Sequence, residues 1–515
     1  MADTLVNLTI EGRAVSVPAG TTLLEAAKTV GVLIPHYCYH PSLPVAGVCR
    51  MCLVEIEKAP KLAPACATSV VEGPVVHVHS EKALESRKGV LEFLLINHPL
   101  DCPICDQSGE CELQDYTFAE GRADSRYREP KRFNAMEDFG GDVLYVPNRC
   151  ILCTRCVRFM DDVHEESVLN VSERGDRATI GKAVDTDLTQ PWAGNVVDLC
   201  PVGALLSKDF LNKARAWEID RTASVCPGCS QGCNISIETR DNVVMRLKPR
   251  GNDAVNQFFM CDEGRLDYRW LNRPDRLEQP MVGGAAVDWD VAIAAAAKAL
   301  AGKRAHVAAN PSLSNETLFL LKRLIAKTGG AGYITVEQGP EAPLPGVKDL
   351  SLRADRAANA TGAELLGFTR AANALSAIKS GDVLIVADCE LDGVSSADIA
   401  KAAVVIVISS VMPKGVPTNA IILPIATFAE EEGTFTNLRG RVQRFLQAKG
   451  TPGMTRPSWF VVSDLLTALG ETAEYFTASA AFDALTTAES SFAGMSYDAL
   501  ALKGAVVTGM LAEAK

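Results

Sequence analysis

The chain of 515 residues has no apolar run of membrane-spanning length. Its longest largely apolar stretch, Ala402 to Met412, is about half of what a bilayer demands, and Lys401 and Lys414 flank it. A basic excess is lacking too. The formal charge is −12, which argues against a nucleic-acid partner, because phosphate binding needs clustered Lys and Arg. The opening Met-Ala-Asp-Thr-Leu-Val reads as neither a signal peptide nor an Arg-rich transit peptide. The expected setting is therefore a reducing cytoplasm, with a membrane reached only through partners. No Gly-x-Gly-x-x-Gly follows a strand-like segment; Gly329-Gly330-Ala331-Gly332 precedes its strand and fails the spacing, so no NAD or flavin site is read. No Ser/His/Asp or paired-carboxylate constellation can be argued without a pocket to hold it. Cysteine is nearly missing from the second half: fifteen of sixteen lie before residue 262, and only Cys389 stands beyond.

What is present is ordinary in bulk and unusual in arrangement. Hydrophobic content of 47% with 22% charged residues is that of a globular protein, and the length suits three or more domains. Disulfide frameworks belong to small secreted domains, so cysteines grouped at metal-ligand spacing in a long chain without an export signal point to metal. The central group is Cys150-Ile-Leu-Cys153-Thr-Arg-Cys156, closed by Cys200-Pro201. Three cysteines at i, i+3 and i+6 with a distant Cys-Pro form the ligand set of a [4Fe–4S] cluster. Asn195-Val-Val-Asp-Leu before Cys200 contains no second run, so Cys200 completes the same cluster.

Upstream, Leu5–Ile10 and Ala14–Val17 read as strands around a turn at Glu11-Gly12. Thr21 or Thr22 is placed to cap a helix through Leu23, Leu24, Ala26 and Ala27. Cys38, Cys49, Cys52 and Cys66 follow, four thiols on one long loop with a close pair in the middle. They suit a [2Fe–2S] cluster on a β-grasp domain, with zinc as the alternative. A helix from Glu81 to Asn97 leads to His98, Cys102, Cys105 and Cys111. Here the local cysteine count stops at three, and the four-corner requirement of a [4Fe–4S] cluster makes His98 the fourth ligand. The other histidines, His36, His40, His77, His79, His164 and His306, have no comparable partners and read as structural or surface residues. Gly121 to Arg132 is charged and expected to be solvated.

This order of sites resembles the N-terminal part of the large iron–sulfur (75-kDa or G) subunit of respiratory complex I, the NADH:quinone oxidoreductases. Its first two sites are similar also to those of diaphorase subunits and [FeFe]-hydrogenases. The resemblance implies an electron-relay subunit of that oxidoreductase, with no catalytic residue of its own. Implied partners are the NADH/FMN-binding subunit as donor, the ferredoxin-like and quinone-site subunits as acceptors, and other peripheral-arm subunits. The implied location is peripheral, on the cytoplasmic side of a bacterial inner membrane. From Arg221 onward, Cys226, Cys229, Cys233 and Cys261 resemble the cluster site that opens the molybdopterin oxidoreductases, which implies a third [4Fe–4S] cluster, off the main electron path. A structural zinc is the alternative there. Glu263 stands where molybdenum enzymes of that kind place a lysine, about 250 residues remain after Cys261, and Cys389 reads as a free thiol at a strand end, so no molybdopterin is expected. Thr427 to Asn437 with Gly440-Arg-Val-Gln443 resembles a loop of that family.

The expected architecture is multidomain, α+β then α/β. Residues 1–80 form a [2Fe–2S] ferredoxin-like domain, 81–140 the one-His/three-Cys [4Fe–4S] domain and 141–218 a four-Cys ferredoxin-like [4Fe–4S] domain. Residues 219–275 form the fourth-cluster domain, and 276–515 a shortened, degenerate molybdopterin-oxidoreductase-like α/β domain. In the last, helices are read at Trp289 to Ala301 and Glu316–Lys327, with strands near Val307–Ala309, Val383–Ala387, Val404–Ile408 and Ile421–Pro424. The tail beyond Gly470, rich in Ala, Thr and Ser, gives little pattern. Rival readings are the iron–sulfur subunit of a soluble NAD-linked hydrogenase or diaphorase, and a formate dehydrogenase.

Overall fold

A computed structural model describes residues 4–370, 378–391 and 396–510; Met1 to Asp3 of the opening segment lie outside them. The chain divides into two compact units. One comprises Met1–Glu218 with Leu344–Lys348, the other Ile219–Pro343 with Asp349–Lys515.

The first unit begins with a five-stranded sheet in the spatial order Arg13–Pro18, Leu5–Ile10, Val75–His77, Leu53–Ile56, Ala63–Pro64. Leu5–Ile10 pairs antiparallel with Arg13–Pro18 through a two-residue turn, Glu11-Gly12, in which both residues have positive φ, the geometry that matches strand twist in a tight hairpin. Leu8, Ile10, Val15 and Val17 alternate inward. The helix Leu23–Thr29 covers them with Leu23, Leu24, Ala26 and Ala27, and Thr22 caps it by accepting from the Glu25 amide. The next helix is Glu81–Leu95, two residues shorter than expected, and carries a fully buried Arg87. That guanidinium donates to Val78 O and to the Glu120 carboxylate, fixing the helix against Glu112–Glu120. Glu137–Gly140, Val143–Tyr145 and Leu205–Ser207 make a small antiparallel sheet. The short helix Arg155–Arg158 runs into a π-helical turn at Phe159–Val163.

The second unit opens with an antiparallel sheet of Asp220–Val225, Asn234–Arg240 and Val243–Pro249. Beyond it lies an eight-stranded sheet ordered Ala285–Ala286, Met281–Val282, Ile421–Pro424, Val404–Ser409, Val383–Ala387, Ala305–Ala309, Ala331–Ile334, Thr369–Arg370. The last six are parallel. Val383, Ile385 and Ala387 enter one apolar core and Leu384 and Val386 another, so the central strand is buried on both faces, as parallel sheets require. The chain runs outward from Ala305–Ala309 and then returns to place Val383–Ala387 on that strand's other side. The strand order reverses between these two, the point at which an open α/β sheet forms a crevice at its carboxyl ends. The tail is more ordered than its composition suggests. The helix Ala478–Ala488 buries Phe482 and Leu485 in the main core, joined there by Tyr497.

Candidate iron–sulfur sites

In the first group, Cys38 lies on the extended segment after the first helix, Cys49 and Cys52 flank a tight turn made by Arg50 (φ 59°), and Cys66 follows Ala63–Pro64. Cys38, Cys52 and Cys66 are buried and Cys49 half-buried. The sulfurs of Cys52 and Cys66 are 3.3 Å apart. Hydrogen bonds from the Cys49 and Cys66 thiols, and then from the backbone, hold the Cys38 thiol far below its ordinary value, while the Cys49 thiol is pushed up chiefly by Cys38. The Cys66 thiol brings Cys52 down to about 7. The four thiols therefore interact as one set.

In the second group, Cys102 is exposed on a single helical turn, and Cys105 and Cys111 are buried. Cys111 immediately precedes the helix Glu112–Glu120, where the Gln114 and Leu113 amides point at its sulfur. Burial nonetheless pushes its thiol up to about 11, with Cys105 and Cys102 adding to the effect. Gly203, just after Cys200-Pro201, packs so tightly on this group that a Cβ there would sit 2.2 Å from Cys105 Sγ. His98 follows the end of Glu81–Leu95, and its Nδ1 is buried with no hydrogen-bond partner. Burial, then Arg149 and Lys131, push its imidazole down to about 4, so the ring is neutral and free to donate a lone pair at pH 7. Arg149 is a charged neighbour of Cys105 as well as of His98.

The third group occupies a loop in which Leu152 and Thr154 take positive φ, 52° and 60°. Such a conformation turns successive amides toward a common point, and the Leu152 amide donates to Cys150 Sγ at 3.4 Å. Cys200 follows the helix Asn195–Leu199. Cys150, Cys153, Cys156 and Cys200 together line one small cavity, closed by Tyr145, Ile180, Val202 and Leu205. Burial pushes Cys150 up to about 11, Cys153 to about 12, and Cys156 and Cys200 upward.

The fourth group joins the end of Asp220–Val225 to the start of Asn234–Arg240, with the Cys226 amide donating to Cys233 O. Cys261 precedes the helix Asp262–Leu266 and accepts from the Gly264 amide at 3.3 Å. A Cβ on Gly264 would lie 3.0 Å from Cys226 Sγ and 3.4 Å from Cys261 Sγ. All four thiols are buried and line a cavity of about 900 Å³ that reaches the crevice of the parallel sheet. Asn310, Asp388, Cys389 and Glu431 also line it. Burial pushes Glu431 up to about 8. Cys389 does sit just beyond Val383–Ala387, with its thiol donating to Ala308 O.

Soft thiolates, one neutral imidazole, enclosure and glycines that leave room at the sulfurs suit iron–sulfur clusters. Buried thiols resist ionisation, and a bound cation reverses that. Among the described residues no three His, Cys, Asp or Glu side chains crowd onto the point a single ion would occupy. A cluster spreads its ligand sulfurs over the corners of a cage.

Sequence reasoning missed the arginines that tie these groups together. Arg155 donates to Tyr39 O, Leu199 O and the Glu112 carboxylate; Arg158 donates to Cys38 O and Cys153 O; Arg215 donates to Cys105 O. Arg155 inside the Cys150–Cys156 run and Arg158 two residues beyond it, in an acidic chain, were the available signal. His77 and His306 also have carboxylate partners, Glu57 and Asp382.

Comparison with known proteins assigns each cysteine group to a matched stretch. Residues 3–81 match a 2Fe-2S iron-sulfur cluster binding domain. Residues 87–126 match the NADH-ubiquinone oxidoreductase-G iron-sulfur binding region, and 140–206 the ferredoxin-like domain of NADH-quinone oxidoreductase subunit 3. Residues 219–273 match the Fe4S4 domain of molybdopterin oxidoreductases, and 354–468 a molybdopterin oxidoreductase model. The chain thus carries a 2Fe–2S and several 4Fe–4S domains. The G subunit of the NADH-quinone oxidoreductase of Rickettsia bellii is 40% identical over 336 residues, 64% of this chain and 49% of that protein. Its counterpart from Rickettsia felis is 40% identical over 64% of this chain and 50% of its own length. The chain spans about half the length of these curated relatives. A crystal structure of an NAD+-reducing [NiFe]-hydrogenase in the H2-reduced state is 31% identical, covers 41% of this chain and 90% of its own, and has a TM-score of 0.37, too low to carry an argument.

Proposed function

We propose that the chain belongs to the family of NADH-quinone oxidoreductase G subunits and relays single electrons through four iron–sulfur clusters. The observation that carries this reading is the gathering of sixteen donors, fifteen thiols and His98, into four groups of four. We assign Cys38, Cys49, Cys52 and Cys66 to a [2Fe–2S] cluster. The three [4Fe–4S] sets are His98 with Cys102, Cys105 and Cys111; Cys150, Cys153, Cys156 and Cys200; and Cys226, Cys229, Cys233 and Cys261. Clusters of this kind supply one-electron storage. The chain's own work is to bury their ligands, aim amides at the sulfurs and hold the sites in register, which sets potential and spacing.

The proposed donor is an NADH/FMN-binding subunit and the proposed acceptors are ferredoxin-like and quinone-site subunits, with this chain peripheral on the cytoplasmic side of a bacterial membrane. No helix among the described residues is long and apolar enough to cross one. The crevice beside the fourth site invites a molybdopterin reading, but its lining opposes it. Glu263, Glu337 and Glu390 face it against Arg356, which is already paired with Glu263 at 3.0 Å. A phosphate-bearing pterin would meet negative charge there. Elemental analysis of anaerobically purified protein tests all of this. About 14 iron atoms per chain without molybdenum is the expected result. About ten with one zinc would reduce the fourth site to a structural one, and molybdenum near one per chain would overturn the relay.

A further inference from the structure

Arg158 ends the short helix that carries Cys156. Its Nη2 donates to Cys38 O at 2.5 Å and to Cys153 O at 3.2 Å, its Nη1 donates to Pro44 O, and its Nε to Thr154 Oγ1 at 3.3 Å. One nitrogen therefore joins the backbones of two residues assigned to different clusters. Arg155 ties the same two loops, through Tyr39 O at 2.9 Å and Leu199 O at 3.2 Å, but its charge is answered by Glu112 at 3.1 Å. The acceptors of Arg158 are uncharged carbonyls and a hydroxyl. Foremost among the charges acting on it are the Cys153 and Cys38 sulfurs, with Arg155 and Asp162 after them.

We propose that Arg158 is a positioning residue that couples the [2Fe–2S] site to the Cys150/Cys153/Cys156/Cys200 site: its fork fixes their separation, its hydrogen bonds supply a covalent-and-hydrogen-bonded route between them, and its charge raises both potentials together. The inference rests on the ligand assignment above. One electron leaves one cluster as the other gains it, and the guanidinium keeps its proton and its charge, since arginine is not deprotonated in proteins. A cation near both sites favours the more negative, reduced state of each. Removing it lowers both potentials. Lysine in its place keeps the charge but loses the planar fork that reaches several oxygens at once.

The test uses the complete, iron-loaded chain with R158Q and R158K. It reads iron content, the midpoint potential of each of the two clusters by EPR-monitored titration, and the rate at which the two equilibrate after rapid one-electron reduction. In R158Q the reduced-to-oxidised ratio of both clusters, at fixed solution potential, is expected to fall about tenfold, the size of a lost charge-assisted hydrogen bond. In R158K both ratios stay within about twofold of wild type while equilibration slows about tenfold, the same loss appearing in a rate. Should R158Q lose iron, R158K decides. Wild-type potentials and rate in an iron-replete variant overturn the proposal. So does loss of iron from both variants with a surviving cluster at its wild-type potential, because that is a packing role alone. A wild-type chain lacking either EPR signal would instead sink the ligand assignment on which the proposal stands.

Discussion

Replacing Gly203 by alanine puts the assignment of the second site under direct stress. The new Cβ would lie 2.2 Å from Cys105 Sγ and 3.1 Å from Gln107 Cβ. Carbon and sulfur need roughly 3.5 Å or more between them, so Cys105 Sγ must move by more than 1 Å or the Pro201–Gly203 turn must lift. A free thiol would swing to another rotamer at a cost of about 1 kcal/mol. A thiolate bound to iron has no such freedom, because ligand distances hold to about 0.2 Å. G203A is therefore expected to release the cluster held by His98, Cys102, Cys105 and Cys111. Iron should drop by about four atoms per chain, with the EPR signals of the other sites intact. A second effect follows from the same contact: overpacking of this kind destabilises by about 1–3 kcal/mol even where the sulfur yields. G203A with full iron, an unchanged spectrum and an unchanged melting temperature would refute both the contact and the ligand role of Cys105.

Other perturbations probe the second unit and the chemistry of burial. Arg276 and Glu430 form a buried two-armed ion pair at 2.7 and 2.8 Å. R276M leaves the Glu430 carboxylate with the Thr427 amide at 2.9 Å and, for a counter-charge, the more distant Lys449 at 3.7 Å, and should destabilise the unit by about 3–5 kcal/mol in chemical denaturation; a loss below 1 kcal/mol would contradict the pairing. Glu431 accepts hydrogen bonds from the Ser458 amide and hydroxyl, and burial raises it from about 4.5 to about 8, with Glu316 and Asp388 adding. It stays protonated in the folded chain while the unfolded chain has released that proton. Its contribution is thus complete below pH 4.5 and lost as pH rises to 8. The melting temperature should fall across that window, and E431Q should flatten the slope; an unchanged slope would show that Glu431 is ionised throughout. C233S should remove about four iron atoms and leave the first three clusters spectroscopically intact. Loss of the [2Fe–2S] signal in C233S would mean that the sites are not independent.

Much of this was legible because it is local. Cysteine spacing reports ligand geometry within a few residues, and the strands Leu5–Ile10, Val383–Ala387 and Ile421–Pro424 have the bounds their apolar patterns indicate. The capping of Leu23–Thr29 by Thr22 is likewise a three-residue signal. The arginine ties were not legible, since Arg155 and Arg158 meet Tyr39 and Cys38 across 116 and 120 residues, and no spacing rule spans that separation. The helix Ala478–Ala488 was obscured by alanine and threonine, although Phe482 and Leu485, three apart, place a narrow apolar stripe on one face. The buried carboxylates Glu431 and Asp388 gave no sign at all, because charge in a sequence reads as surface until a fold encloses it.

The central claim is that these four donor sets hold redox-active clusters, and anaerobic reductive titration monitored by EPR tests it most directly. The complete chain should take up about four electrons, one per cluster, and develop the signals of one binuclear and three cubane clusters. A chain that accepts no electrons, or that carries zinc at these thiols in place of iron, would contradict it.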